Sequence, residues 1–182
     1  MRKVKVSPYK FLSQVYHILG DRGALLVSTK NDGSSNVMAI GWALIGRMWE
    51  KDFALVAVRP SRYTFGFIEE SGEFTINIPT KDMKKTVEYC GTVSGRDEDK
   101  FKRKNLTLLK GKCIHSHIIE QCCLHYECKV QYKTKLVPTM LSNDIISANY
   151  PKGDFHTFYL GEICSVLGDK DVEDKLKRAI AV

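Results

Sequence analysis

Apolar positions along this chain follow first a helical period and then a strand period. Tyr9, Leu12, Tyr16 and Leu19 recur at helical spacing, with Ser7 placed as N-cap and Pro8 at the first helical position, so a helix is expected up to Gly20. Short apolar runs follow. Ala24 to Lys30 reads as a strand, and the Asn31-Asp32-Gly33 turn signal makes Val37 to Gly46 its hairpin partner. Phe53 to Val58 is a further apolar run, closed by Arg59-Pro60. Tyr63 to Ser71 predicts a short helix stopped by Gly72, and Phe74, Ile76 and Ile78 alternate as a half-buried strand ending at Pro79. Lys81 to Tyr89 predicts a second short helix, and Gly91 to Lys112 is polar, basic and loop-rich. Long strands are expected from about Ile119 to Val137 and Phe155 to Val166, and Val172, Leu176 and Ile180, spaced by four, mark an amphipathic terminal helix.

Many strand-like runs with helices inserted irregularly predict a mainly β fold, a closed antiparallel barrel with helical decoration. A doubly wound parallel sheet needs regular βαβ alternation, which the pattern lacks. No repeat, low-complexity tract or linker interrupts the chain, so residues 1–182 are expected to form a single domain. Hydrophobic residues at 43% and charged ones at 27% exclude a disordered chain. The longest uncharged stretch, Gly33 to Gly46, is too short and polar to span a membrane, and no apolar run follows Arg2, Lys3 and Lys5 as a signal peptide requires. Six cysteines in a chain this long, two of them adjacent at Cys122 and Cys123, read as free thiols in a cytoplasmic protein.

A formal charge of +7 favours anionic partners, either nucleic acid or a phosphate-bearing cofactor. The hydrolytic, metalloprotease, P-loop and dinucleotide-binding motifs are all missing. Cysteine and histidine crowd between Cys113 and Cys128, yet no Cys-x-x-Cys pair occurs, and along a strand His125 and Cys128 point to opposite faces. Buried thiols explain that region better than a metal does, and no metal site is expected. Two other segments carry more chemistry. Arg59-Pro60-Ser61-Arg62-Tyr63-Thr64 puts two guanidinium groups and two hydroxyls ahead of a helix, as a phosphate cradle or as a capped helix with solvated arginines. Ser94-Gly95-Arg96-Asp97-Glu98-Asp99-Lys100-Phe101 combines a glycine with a lysine able to reach a phosphate. Asn36 to Trp42 mixes small residues with a tryptophan, as an internal strand or as the rest for a flat heterocycle.

Taken in order, Asn36 to Trp42, Arg59 to Thr64, Glu73 to Pro79 and Cys90-Gly91 through Phe101 resemble the flavoredoxin-type branch of the flavin reductase-like family, over about Ala24 to Gly168. The resemblance implies an FMN-binding split β-barrel and a homodimer with non-covalent FMN at its interface. It implies that Asn36, Met38, Ala39 and Trp42 line the isoalloxazine ring, with main-chain groups of the same segment, Val37 and Gly41 among them, meeting its polar edge. Ser61, Arg62 and Thr64 would bind the phosphate beside Arg59, and Lys100 would add charge, helped by Ser94 and Gly95. His156, five residues before Gly161-Glu162-Ile163, stands where related chains carry a flavin-side histidine, although Phe155 replaces their aspartate.

The activity so implied is a flavin or metal-ion reductase using NAD(P)H, or an electron carrier between a redox partner and an acceptor. No protein catalytic residue is expected, because the flavin carries the chemistry. Two alternatives stand beside it. One is a basic barrel contacting nucleic acid through Lys100, Lys102, Arg103 and Lys104, against which no nucleic-acid-binding motif is found. The other is the same scaffold without flavin, serving as an interaction module, against which the phosphate block is intact.

Overall fold

The computed structural model describes residues 3–180. Strands β1 (Val4–Lys5), β2 (Ala24–Thr29), β3 (Ser35–Ile40), β4 (Ala43–Met48), β5 (Lys51–Val58), β6 (Glu73–Ile78), β9 (Leu124–Lys135) and β10 (Thr157–Gly168) form one antiparallel sheet, and β7 (Leu108–Leu109) pairs with β8 (Ile118–Ile119) in a small second one. Helices α1 (Leu12–Asp21), α2 (Tyr63–Ser71), α3 (Lys84–Thr92), α4 (Lys100–Arg103), α5 (Asn143–Asn149) and α6 (Val172–Ile180) are inserted between them.

The main sheet runs β3-β2-β6-β9-β10-β5-β4, with β1 added on β10. Its two end strands, β3 and β4, are consecutive in sequence and joined through Gly41-Trp42, but among the described residues no ladder pairs them. The sheet is therefore mainly antiparallel as expected, while the expected barrel closure by hydrogen bonding is not seen. The break at Gly41-Trp42 also divides the run expected as one strand from Val37 to Gly46. Ser35 to Ile40 pairs with β2, and Ala43 to Met48 turns away to pair with β5.

Two cores explain the apolar pattern. Leu26, Val56, Phe74, Ile76, Tyr126 and Tyr159 point into the concave side of the sheet. Leu25, Val27 and Val37 point the other way, against Val87 and Cys90 of α3. Strand β2 is thus buried on both faces and reads as a continuous apolar run rather than an alternation.

Helix α1 begins at Leu12, five residues after the expected cap, and its buried face is Val15 and Ile18 with Phe11 before them. Tyr9 and Tyr16 are exposed, at 70% and 76%, because their phenol oxygens can stay in water while Phe11, two residues after Tyr9, and Val15, one before Tyr16, take the core. At the other end Ala179 is buried and Ile180 is not. No helix among the described residues is long and apolar enough to cross a membrane.

Candidate functional site

A cavity of about 320 Å³ opens where β3, the β5–α2 junction, the segment from α3 to α4 and the start of β10 meet. Each wall follows from a local rule. Strand β3 lies at the end of the sheet, so Met38 and Ala39 remain half-buried beside the cavity while Val37 is buried in the core behind it. Arg59-Pro60 ends β5, and the backbone turns into α2 with Arg62 at its N-cap position. Asp99 caps α4 by accepting the N–H groups of Phe101 and Lys102, and this places Lys100 at the first helical position, facing inward.

Asn36 Nδ2 donates to Thr64 Oγ1 at 2.7 Å and joins β3 to α2 across the floor. Gly95 packs directly on that carboxamide. A Cβ there would overlap Asn36 and reach within 3.0 Å of the Tyr63 ring, so only glycine lets the 94–96 turn approach so closely. Gly91 likewise stands against Ala39, where a Cβ would lie at 3.1 Å.

Lys100 is 4% exposed and donates to the carbonyl oxygens of Cys90 at 3.0 Å and Val93 at 3.1 Å. Burial, with the nearby charge of Arg62, pushes its ammonium below the usual lysine range, and no carboxylate is among the groups acting on it. Arg62 is exposed at the cavity mouth and has no ion-pair partner among the described residues. His156 is 8% exposed, 4.8 Å from Trp42 by ring centroids, and its Nδ1 shares a 2.7 Å hydrogen bond with Tyr150 Oη. Burial first, then the charges of Arg59 and Arg62, lower its pKa to about 4, so the ring is neutral at pH 7.

Of the residues singled out from sequence, Asn36, Met38, Ala39, Gly41, Trp42, Arg59, Ser61, Arg62, Thr64, Ser94, Gly95, Lys100 and His156 all border this cavity. Val37, expected with them, does not border the cavity: its side chain points the other way along β3 and is fully buried in the core against Val87 and Cys90. Two members of the set have their polar groups committed elsewhere. Arg59 donates to the carbonyls of Asn149 and Asp154 and stacks on Tyr150, and Ser61 donates its hydroxyl to Asp154 Oδ2 at 2.6 Å. They fix the 149–156 segment and so hold His156 in place.

Sequence reasoning missed Asp154 and Tyr150, and it gave Arg96, within the 94–101 segment, no role. Arg96 donates to Ser61 O at 3.1 Å and covers Tyr63 at 5.0 Å. The one signal for Asp154 was Gly153 before it, a turn residue. Asp154 itself has φ 57°, a backbone conformation that asparagine and aspartate tolerate better than most residues.

The basic cluster expected as a nucleic-acid surface is largely compensated. Lys102 pairs with Asp99 at 3.4 Å, Arg103 with Glu98 at 3.4 Å, and Lys104 lies over Tyr89, while Lys100 is buried in the cavity wall. His125 and Cys128 do face opposite ways. His125 Nδ1 is hydrogen-bonded to Asn77 Oδ1 at 2.8 Å, and Cys128 lies in the concave core.

Comparison with known proteins places these features in a wider group. The flavin reductase like domain family matches residues 21–178. An uncharacterized protein of Archaeoglobus fulgidus is 34% identical over 131 residues, which are 72% of this chain and 64% of that protein. The matched region is thus less than two-thirds of that relative's length. Among solved structures, flavoredoxin of Desulfovibrio vulgaris (Miyazaki F) is 26% identical with a TM-score of 0.65, over 82% of this chain and 71% of that one. An FMN-binding domain of a flavin reductases-like enzyme from Shewanella baltica shares the fold at a TM-score of 0.65 and 20% identity, over 93% of this chain and 78% of that one.

Proposed function

The chain belongs to the flavin reductase-like family, and from that premise we propose that it is a redox protein holding non-covalent FMN in the cavity beside β3. One observation carries the reading. Arg62 and the buried ammonium of Lys100 border the same cavity, and neither has an ion-pair partner among the described residues. Burying an ammonium beside a guanidinium is costly unless an anion joins them. A phosphate supplies that anion, and Ser94, Gly95 and the hydroxyl of Thr64 border the same place. The fit extends to the ring end, where Met38, Ala39 and Trp42 offer apolar surface beside main-chain groups.

When bound, FMN supplies hydride and electron-transfer chemistry. The chain's own residues then have limited tasks. Arg62 and Lys100 hold the phosphate, and Asn36 and Thr64 keep β3 and α2 in register beneath it. Trp42 and the neutral His156 form the ring-side wall without adding a positive charge there. Electrons come from NAD(P)H or a redox partner and pass to a small-molecule or protein acceptor.

A homodimer is part of the proposal. Trp42 is 49% exposed at the rim, and the adjacent strand β4 leaves Leu44 at 69% and has no strand on its outer edge among the described residues. A second copy covering these groups would complete the ring pocket.

The test is an FMN titration of the apoprotein. Arg62→Ala should weaken binding by about 1.5–3 kcal/mol, roughly ten- to a hundred-fold, as expected for one charge-assisted contact. Equal affinities in the variant and the native protein would remove the phosphate from this place.

A further inference from the structure

The loop running from Lys110 to His117 takes no part in the cofactor cavity, yet it is firmly seated. Glu73 accepts the N–H of His115 at 2.8 Å, and Glu127 Oε2 accepts the N–H groups of Lys112 and Cys113, both at 2.8 Å. Both carboxylates lie on the same face of neighbouring strands and are buried, Glu127 completely. They hold Cys113 against the sheet.

Strand β10 presents a second cysteine at that place. Its pairing with β9 passes from Ile163↔Cys128 to Ser165↔Glu127, which leaves Cys164 as the extra residue of a bulge. Cys164 Sγ donates to the carbonyl oxygen of Glu127 at 3.3 Å, and Cys113 Sγ donates to the carbonyl oxygen of Cys164 at 3.6 Å. One glutamate therefore holds both cysteines: its side chain accepts the main-chain N–H of Cys113, and its carbonyl oxygen accepts the thiol of Cys164. These two cysteines are exposed, whereas Cys90, Cys122, Cys123 and Cys128 are buried.

We propose that Cys113 and Cys164 are a redox-active dithiol whose substrate is a small-molecule disulfide. The thiolate of Cys113 attacks one sulfur of the small disulfide and expels one thiolate, giving a mixed disulfide on Cys113. The thiolate of Cys164 then attacks the Cys113 sulfur and expels the second small thiol. Two protein S–H bonds are lost and one S–S bond forms; the protein gives up two electrons, and the small disulfide becomes two thiols. The order follows from the surroundings. Burial, with Cys113 alongside, pushes the Cys164 thiol up to about 11, which suits it to the second step, when its partner is already within reach. The product closes a loop spanning 51 positions and locks the 110–117 segment onto the bulge.

The experiment treats the full chain, reduced and freed of reductant, with oxidised glutathione. The protein is then quenched in acid and unfolded in guanidinium, its thiols are counted, and its intact mass is measured. The expected count falls from six to four, the mass falls by two hydrogen atoms, and peptide mapping joins Cys113 to Cys164. Dithiothreitol restores all six. Cys113→Ser should keep its five thiols under the same treatment. Retention of six thiols in the native chain, glutathione remaining attached to Cys113, or a bond joining two chains would each overturn the proposal. The count does not depend on flavin, so its failure leaves the cofactor reading untouched.

Discussion

His156 sits among Tyr150, Trp42, Arg59, Arg62 and Asp154, and its environment opposes the charged ring. Its folded pKa of about 4 lies below the ordinary 6.5, so between those values the unfolded chain binds more protons than the folded one. Stability from this site is complete above pH 6.5 and is lost as pH falls through 4, an effect of about 3 kcal/mol. A proton NMR titration, assigned with His156→Gln, should place the midpoint near the lower value, and Arg62→Ala should raise it. A midpoint near 6.5 would mean that the ring is solvated. At this scale the sequence was most informative for charged residues beside a strand end or a glycine, which is why Arg62 and Lys100 could be picked out. Asp154 could not be. Its role depends on Ser61, 93 positions away, and no local pattern encodes that contact.

The element on which the proposed dimer rests is β4. Its hairpin with β5 turns through Trp49 and Glu50, with φ of 47° and 59°, where asparagine and glycine are the usual choices. That turn holds Trp49 outward at 63% exposure, continuing the row from Leu44 and Met48. An unpaired edge of this kind invites association. In light scattering the native chain should weigh twice 20.7 kDa, and Leu44→Glu should halve that mass and weaken FMN binding. A monomeric native chain that binds FMN fully would contradict the interface. Element identities were legible wherever one face is buried and the other wet, as in α2. They were less so in β3 and β4, because a run of small and apolar residues gives no sign of the break at Gly41-Trp42. Helix α5 was missed for the opposite reason, since its described residues bury no face that would impose a period.

At the scale of the whole molecule, the sheet leaves its two end strands joined by Gly41-Trp42, and the cavity forms beside that joint. The +7 charge does not collect into one exposed surface at the 98–104 segment, where acidic partners offset it. What stands out is a buried lysine with an arginine beside it. Three of the four ordered blocks of sequence pointed to that place because they converge there, whereas Glu73 to Pro79 forms the buried strand β6 away from it; helix start positions and barrel closure were less legible because long-range packing sets them. The central claim is that this place holds the phosphate end of FMN. It is tested most directly by the visible spectrum of the purified protein, followed by chromatography of the compound that heat releases. Bands near ~370 and ~450 nm with released FMN are the predicted result. A colourless protein that also fails to take up added FMN would contradict it.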